Sequence, residues 1–232
     1  WLLIDGEHTT HSLQTIVHQL QTIAAYPGTQ AVARVPMGHG HVGEMLIKQY
    51  LDMGVQSLLV PMVDTPEQAQ AIVRAARYPG PDGLGGVRGV AGGRAARWGR
   101  YPRYVHEAND RVCIVVQAET RTSLDNLETI AAVDGVDGIF IGPADLSASM
   151  GHRGNSGHPE MQAAMEDAIR RVVRAGKAAG ILTPDEAMAR RCLEWGATFV
   201  AVGIDTVSLV RDTNRLATAF AAGEKAPRSP TS

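Results

Sequence analysis

The sequence predicts an α/β protein built as a (β/α)8 barrel in a single domain. Three observations lead there. Short β-branched runs alternate with longer amphipathic segments along the whole chain, which is the rhythm of repeated βα units around a parallel sheet. A chain of 232 residues suits one barrel domain. The position after the first strand holds IDGEHTTH, where an open doubly wound sheet usually carries a glycine-rich phosphate loop.

Seven strands can be read, at 1–7, 31–35, 55–62, 111–119, 137–142, 178–183 and 199–203. Helical periodicity fills 11–25, 41–53, 65–77, 121–132, 159–175, 184–195 and 205–221. Asp64-Thr65-Pro66 and Thr183-Pro184 each put a proline in a first helical turn, where its missing N–H costs nothing. A closed barrel of this class has eight strands. Trp1 already lies inside an apolar strand, so the expectation is that one upstream βα unit is missing from this sequence. Residues 1–222 are expected to form the catalytic domain. Residues 223–232, rich in Pro and Ser, are expected to be a disordered tail. The segment 78–100 holds eight of the 25 glycines and predicts a long functional loop.

Composition narrows the function. A net charge of −2 with no long basic run argues against a nucleic-acid partner. No apolar stretch approaches the roughly 18 residues that a membrane span needs, and the N-terminal residues lack a signal-peptide pattern. The cytoplasm is the expected place. Cys113 and Cys192 lie in apolar segments without metal-type spacing and read as small buried hydrophobes in a reducing compartment.

In a βα barrel, polar residues at the C-terminal ends of strands face the active site. These are Asp5, Glu7 and His8 after the first strand, Arg34 after the second, Gln117 and Glu119 on the fourth and Asp145 after the fifth. Glu119 and Asp145 have a competing role as helix caps. They end consecutive strands, however, and neighbouring strands lie about 4.8 Å apart. Two carboxylates that close suit a shared cation, and without clustered Cys or His that ion is expected to be Mg²⁺ or Mn²⁺.

Segment GPADLS (142–147) adds a helix start whose N–H groups at Gly142, Ala144 and Asp145 form an anion site for a substrate carboxylate. Gln117 shares the inward direction of Glu119. It is either a substrate contact or a buried amide bonded to backbone. His8 follows a glycine turn at the mouth and has the titration range of a general base. Asp52, in the LDMG turn, is expected to orient it, against the plainer role of a solvated helix end. Arg34 is the only charge in AVARV and must either face the site or pair with Asp5.

His39 and His41 resemble the HxH pair of barrel metallohydrolases and define the alternative function, although they start a helix where that motif normally ends a strand. Only three lysines, Lys48, Lys177 and Lys225, stand against 19 arginines. None sits at the end of a strand facing the pocket, as a Schiff-base aldolase requires, which leaves the metal route.

The runs WLLIDGEH, LLVPM, RYP, GVRGV, VQAET, VDGIFIGPADLSASMG and FVAVGID, in that order, resemble the HpcH/HpaI aldolase family and its 4-hydroxy-2-oxoheptanedioate aldolase branch. The likeness runs from Trp1 to about Ala222. It implies a metal-dependent class II aldolase that reversibly cleaves 4-hydroxy-2-oxo acids to pyruvate, or an analogue, and an aldehyde. It implies a divalent ion (Mg²⁺, Mn²⁺ or Co²⁺) on Glu119 and Asp145, with His8 as base made more basic by Asp52. Arg34 would stabilise the transition state, and Gln117, Ala144 and Asp145 would contact the keto acid. It also implies a homo-hexamer, a trimer of dimers that exchange C-terminal helices. PMGHGHVGEML (36–46) is longer than the family's pattern, near the aldehyde side.

Overall fold

A computed structural model describes residues 1–81 and 84–221. The expected tail, 223–232, lies outside the described residues, as do positions 82 and 83 of the glycine-rich loop. All seven anticipated strands form: β1 (Leu2–Asp5), β2 (Ala31–Arg34), β3 (Ser57–Val60), β4 (Cys113–Ala118), β5 (Gly138–Ile141), β6 (Ala178–Leu182) and β7 (Phe199–Ala201). They pair in parallel in sequence order, with Asp5 opposite Arg34 and Gln117 opposite Phe140. The result is a curled seven-stranded sheet. No ladder joins β1 to β7 among the described residues, so the eight-stranded closure expected of the class is not formed by these strands. The two edges still meet through side chains, since the Trp1 and Phe199 rings stack at 4.1 Å.

The helices are α1 (Leu13–Ala24), α2 (Gly40–Asp52), α3 (Pro66–Ala76), α4 (Tyr104–Arg111), α5 (Arg121–Asp125), α6 (Leu127–Ala131), α7 (Pro143–Ser149), α8 (Pro159–Arg174), α9 (Glu186–Glu194) and α10 (Asp205–Ala221). None is long and apolar enough to cross a membrane. The start of α3 is fixed by a capping box between Thr65 and Gln68 with Pro66 behind it, which satisfies donors the first turn would leave open. At α9 the proline signal is offset: Asp185 is the cap, accepting from the Met188 amide at 2.7 Å. The expected helix at 121–132 is two short ones, divided at Asn126, whose side-chain amide donates to the Asp64 carbonyl at 2.8 Å. Helix α4 has no counterpart in the sequence reading, because its polar YVHEANDR shows too few apolar positions to mark a helix.

Strand alternation sorts the core into two layers. Ile4, Ala33, Leu58, Val60, Ile114, Val116, Ile139 and Ile181 face the helices in the main core. Val32, Leu59, Val115 and Phe140 fill the concave side, with Leu3, Leu182 and Phe199 packed against them. The next inward position along each strand is where the polarity changes. Asp5 follows Leu3, Arg34 follows Val32, and Gln117 and then Glu119 follow Val115. An apolar floor therefore lies beneath a charged mouth.

Gly180 keeps that floor closed: a Cβ there would lie 2.5 Å from Phe140 and 2.9 Å from Phe199. Gly180→Val should cost about 1–3 kcal/mol by overpacking, read as a lower urea midpoint at unchanged slope. An unchanged midpoint would contradict this packing.

Candidate active site

The mouth is organised around one guanidinium. Arg34 donates to Asp5 through Nε at 2.8 Å and Nη2 at 2.7 Å, a two-point fork that fixes the plane of the group. Its remaining corner, Nη1, lies 2.9 Å from Glu7 Oε2 and donates to Gln117 Oε1 at 3.4 Å. Gln117 in turn donates to Glu119 Oε2 at 2.6 Å, while the Met62 amide donates to Glu119 Oε1 at 2.7 Å. One hydrogen-bonded chain thus spans the ends of β1, β2 and β4 and the β3 loop. Of the residues singled out from sequence, it unites Arg34, Gln117 and Glu119, and it adds Asp5 and Glu7. The pairing of Arg34 with Asp5 is one of the two roles the sequence offers for that arginine, and it forms; Glu7 is visible only as a strand-end acid, with nothing in the spacing to mark it as a partner of Arg34.

The turn after β1 explains their placement. Asp5 Oδ1 accepts from the amides of Glu7 at 2.9 Å and His8 at 3.5 Å, and Thr9 Oγ donates to the Asp5 carbonyl. Gly6 is required because a Cβ would come within 2.1 Å of the Tyr50 hydroxyl and 2.7 Å of the Arg34 carbonyl. The folded turn sends Glu7 inward and leaves the His8 side chain 65% exposed, with Nε2 3.6 Å from Glu7 Oε2.

The charges of Asp5, Glu7 and Glu119 act on this single arginine, and that of Asp145 reaches Glu7 and Glu119. Burial pushes the Asp5 carboxyl up, but the Arg34 hydrogen bonds and the Glu7 amide outweigh it and hold the pKa below the ordinary value. Burial raises Glu7 above its ordinary value, though Arg34 and His8 oppose the shift. Glu119, only 2% exposed, is also raised: burial dominates, the Met62 and Gln117 hydrogen bonds counter it, and the nearby charges of Glu7 and Asp145 add to it. Such an excess of acid suits a bound cation, and the donor set fits a hard divalent ion with oxygen ligands. Gly142 supports the fit. A Cβ there would lie 2.4 Å from Glu119 Oε2, so the glycine keeps Glu119 open toward α7, where Asp145 and Ala144 occupy the first turn.

Other singled-out residues take different partners. Among the described residues of one chain, Asp52 makes no hydrogen bond or ion pair with His8. Its carboxylate accepts from Arg88 Nη2 at 2.8 Å, because Arg88 is wholly buried and a buried cation must be paired. The 78–100 loop has a packing role in its described part: it threads Arg88 beneath Tyr78 and Tyr104, which form a small separate core with Ala96 and Ala108. The HxH pair does not form a metal centre either. His39 Nε2 lies 2.6 Å from the Met62 carbonyl, and His41 is exposed. The Gly142 amide is spent on the Ala118 carbonyl at 3.2 Å, leaving Ala144 and Asp145 for an anion. Lys177 donates to the Val136 carbonyl at 2.6 Å, away from the mouth. Outside the mouth, His152, His158 and Glu160 lie close enough to hold an ion. They already satisfy one another: His152 Nε2 is 2.8 Å from Glu160, and His158 Nδ1 accepts the Glu160 amide.

Strand-end acids and one arginine at the carboxyl-terminal mouth of a parallel βα sheet define an enzyme on the α/β-barrel plan. Residues 1–212 match the family model described as HpcH/HpaI aldolase/citrate lyase; the chain belongs to this family and is a carbon–carbon lyase. It is 55% identical to the hydroxypyruvate/pyruvate aldolase of Pseudomonas aeruginosa, over 100% of this chain and 84% of that protein. It is 59% identical to the 4-hydroxy-2-oxovalerate aldolase of Rhodococcus jostii, over 95% and 83%. Identity to the 4-hydroxy-2-oxo-heptane-1,7-dioate aldolase of Klebsiella pneumoniae is 57%, over 95% and 80%. Among solved structures, an HpcH/HpaI aldolase/citrate lyase family protein from Burkholderia cenocepacia superposes with a TM-score of 0.89 at 39% identity, over 95% of this chain and 85% of that one.

The raised Glu119 pKa has a signed consequence for the metal-free protein. The folded state holds this proton more tightly than the unfolded state, whose value is near 4.5. Stability is therefore lost as pH rises from about that value through the raised folded pKa. Glu119→Gln should remove that loss, so its Tm advantage over the metal-free parent should grow above about pH 4.5. A Tm difference that does not change with pH would contradict the buried, charge-crowded placement.

Proposed function

We propose that the chain is a class II aldolase that uses a divalent cation to interconvert 4-hydroxy-2-oxo acids with pyruvate, or a close analogue, and an aldehyde. The observation that carries the reading is the network joining Arg34, Gln117 and Glu119 at one mouth, with Asp145 opposite. Glu119 and Asp145 would hold the ion, Mg²⁺, Mn²⁺ or Co²⁺. When bound, such an ion acts as a Lewis acid on the substrate's keto group. Gln117 and the first-turn residues Ala144 and Asp145 orient the keto acid. His8 removes the proton from the C4 hydroxyl; the C3–C4 bond then breaks, the C4 fragment leaves as an aldehyde, and the bonding pair becomes the C2–C3 double bond. Negative charge collects on the former keto oxygen, and Arg34 faces it with its plane already fixed by Asp5. A positioned donor of that kind is worth about 10²–10³ in rate.

Three relatives bear different substrate names. The oxovalerate and heptanedioate names share the 4-hydroxy-2-oxo unit and differ beyond it, which supports a fixed keto-acid half and an adaptable aldehyde half. Helix α10 supports assembly: it buries no residue and exposes Leu209, Val210 and Phe220. A homo-hexamer, a trimer of dimers exchanging this helix, would cover that face.

Pyruvate release from 4-hydroxy-2-oxo acids is the test. EDTA should abolish it, and Mg²⁺, Mn²⁺ or Co²⁺ should restore it. Glu119→Ala should lose activity together with its metal, whereas His8→Ala should lose most of kcat and still bind metal and pyruvate. Full activity in Glu119→Ala would sink the assignment.

A further inference from the structure

We propose that Glu7 is a positioning residue that fixes both the imidazole of His8 and the free corner of Arg34. The inference rests on the aldolase reading above, which needs His8 as base and Arg34 as the charge-stabilising group. One carboxylate oxygen, Glu7 Oε2, lies 2.9 Å from Arg34 Nη1 and 3.6 Å from His8 Nε2. It is buried, yet it has no aligned hydrogen bond, so it is an acceptor waiting for a donor.

The other candidates for holding these groups are already committed. Asp5 takes Arg34 Nε and Nη2, which leaves only Nη1 for Glu7 and Gln117. Asp52 is engaged with Arg88 and makes no hydrogen bond to His8 among the described residues. Adjacent residues on a regular strand point to opposite faces. Here the Gly6 turn, pinned by the Glu7 and His8 amides on Asp5 Oδ1, lets neighbours 7 and 8 approach each other.

Catalytic hydrogen bonds are often long before substrate arrives and tighten in the complex. When the 3.6 Å gap closes, His8 donates from Nε2–H to Glu7. That contact selects the tautomer whose Nδ1 lone pair is free to accept the C4 hydroxyl proton. It also keeps the base beside Arg34, so proton removal and charge stabilisation share one anchor. Asp5, Arg34, Glu119 and Asp145 are the other charged groups at this mouth, and none of them makes a hydrogen bond or ion pair with the imidazole.

The test uses the metal-loaded full chain. Glu7→Met keeps the side chain's length and removes the acceptor, whereas Glu7→Gln retains an acceptor oxygen. Glu7→Met should keep its metal and its KM and lose about tenfold to a hundredfold in kcat, with partial rescue in Glu7→Gln. Unchanged kcat, or loss of the metal, overturns the proposal; the latter would make Glu7 a ligand. ¹⁵N-histidine spectra separate this from failure of the aldolase reading. His8, assigned by its absence in His8→Ala, should carry its proton on Nε2 in the parent and lose that bias in Glu7→Met. If every 4-hydroxy-2-oxo acid is inert, the aldolase reading fails while the spectra still judge Glu7. A parent spectrum with the proton on Nδ1 overturns the Glu7 contact whatever the activity.

Discussion

The ion pair between Asp5 and Arg34 is the constraint on which the mouth depends. The two residues are register partners on neighbouring strands, so the backbone ladder itself brings their side chains together on the concave face. The two-point fork then uses two of the three guanidinium nitrogens and leaves one with a fixed direction. Gln117 and Glu7 meet that remaining nitrogen, and Glu119 is reached through Gln117. If Arg34 were absent, four carboxylates would share a half-buried mouth without a protein cation. Breaking a buried pair by removing one partner typically costs about 3–5 kcal/mol. A lysine offers no fork and would leave Asp5 and Glu7 competing for one point charge.

A second buried arginine performs a different task. Arg88 is wholly enclosed, with Asp52 and the Tyr104 hydroxyl on Nη2 and the Tyr78 ring 4.5 Å from its carbon centre. It ties the glycine-rich segment to the end of α2, whose carbonyls also accept from the Ala95 amide and from Arg94. The mobility suggested by eight glycines is thus countered by one charge seated among aromatic rings. Charge balance at these two arginines is local: Arg34 pairs with Asp5 and Arg88 with Asp52, whereas Glu119 is held by an amide and a carboxamide and has no cationic partner among the described residues.

The strands were legible because burial on both faces writes continuous β-branched runs, as in VCIVVQA at β4. Glu119, Gln117 and Arg34 were legible because strand parity places them above the apolar layer of Val115 and Val32. What the sequence hid was pairing over distance. Nothing local distinguishes Asp52 as the partner of Arg88, 36 positions away, from Asp52 as a partner of His8. The polar α4 escaped because its few buried residues, Tyr104, Ala108 and Asn109, do not make a stripe. The break at Asn126 depends on a bond to Asp64, which only the folded chain supplies.

The same geometry divides the chemistry between rigid and adaptable parts. The keto-acid half of the proposed reaction is served by side chains on or directly after strands, where Arg34, Gln117 and Glu119 have their rotamers fixed by hydrogen bonds to one another. A site held this way tolerates little displacement, because misplacing a reacting group by about 1 Å costs on the order of 10² in rate. The segment 36–46 belongs to no strand. It begins before α2, and its His39 is anchored to Met62, a residue with φ of +57°. Met62 in turn donates its amide to Glu119. A strained residue of this kind persists only when its surroundings over-determine it, and here both of its backbone polar groups are held. Segment 36–46 is therefore linked to the fixed centre through Met62, whose backbone carbonyl and amide join His39 to Glu119.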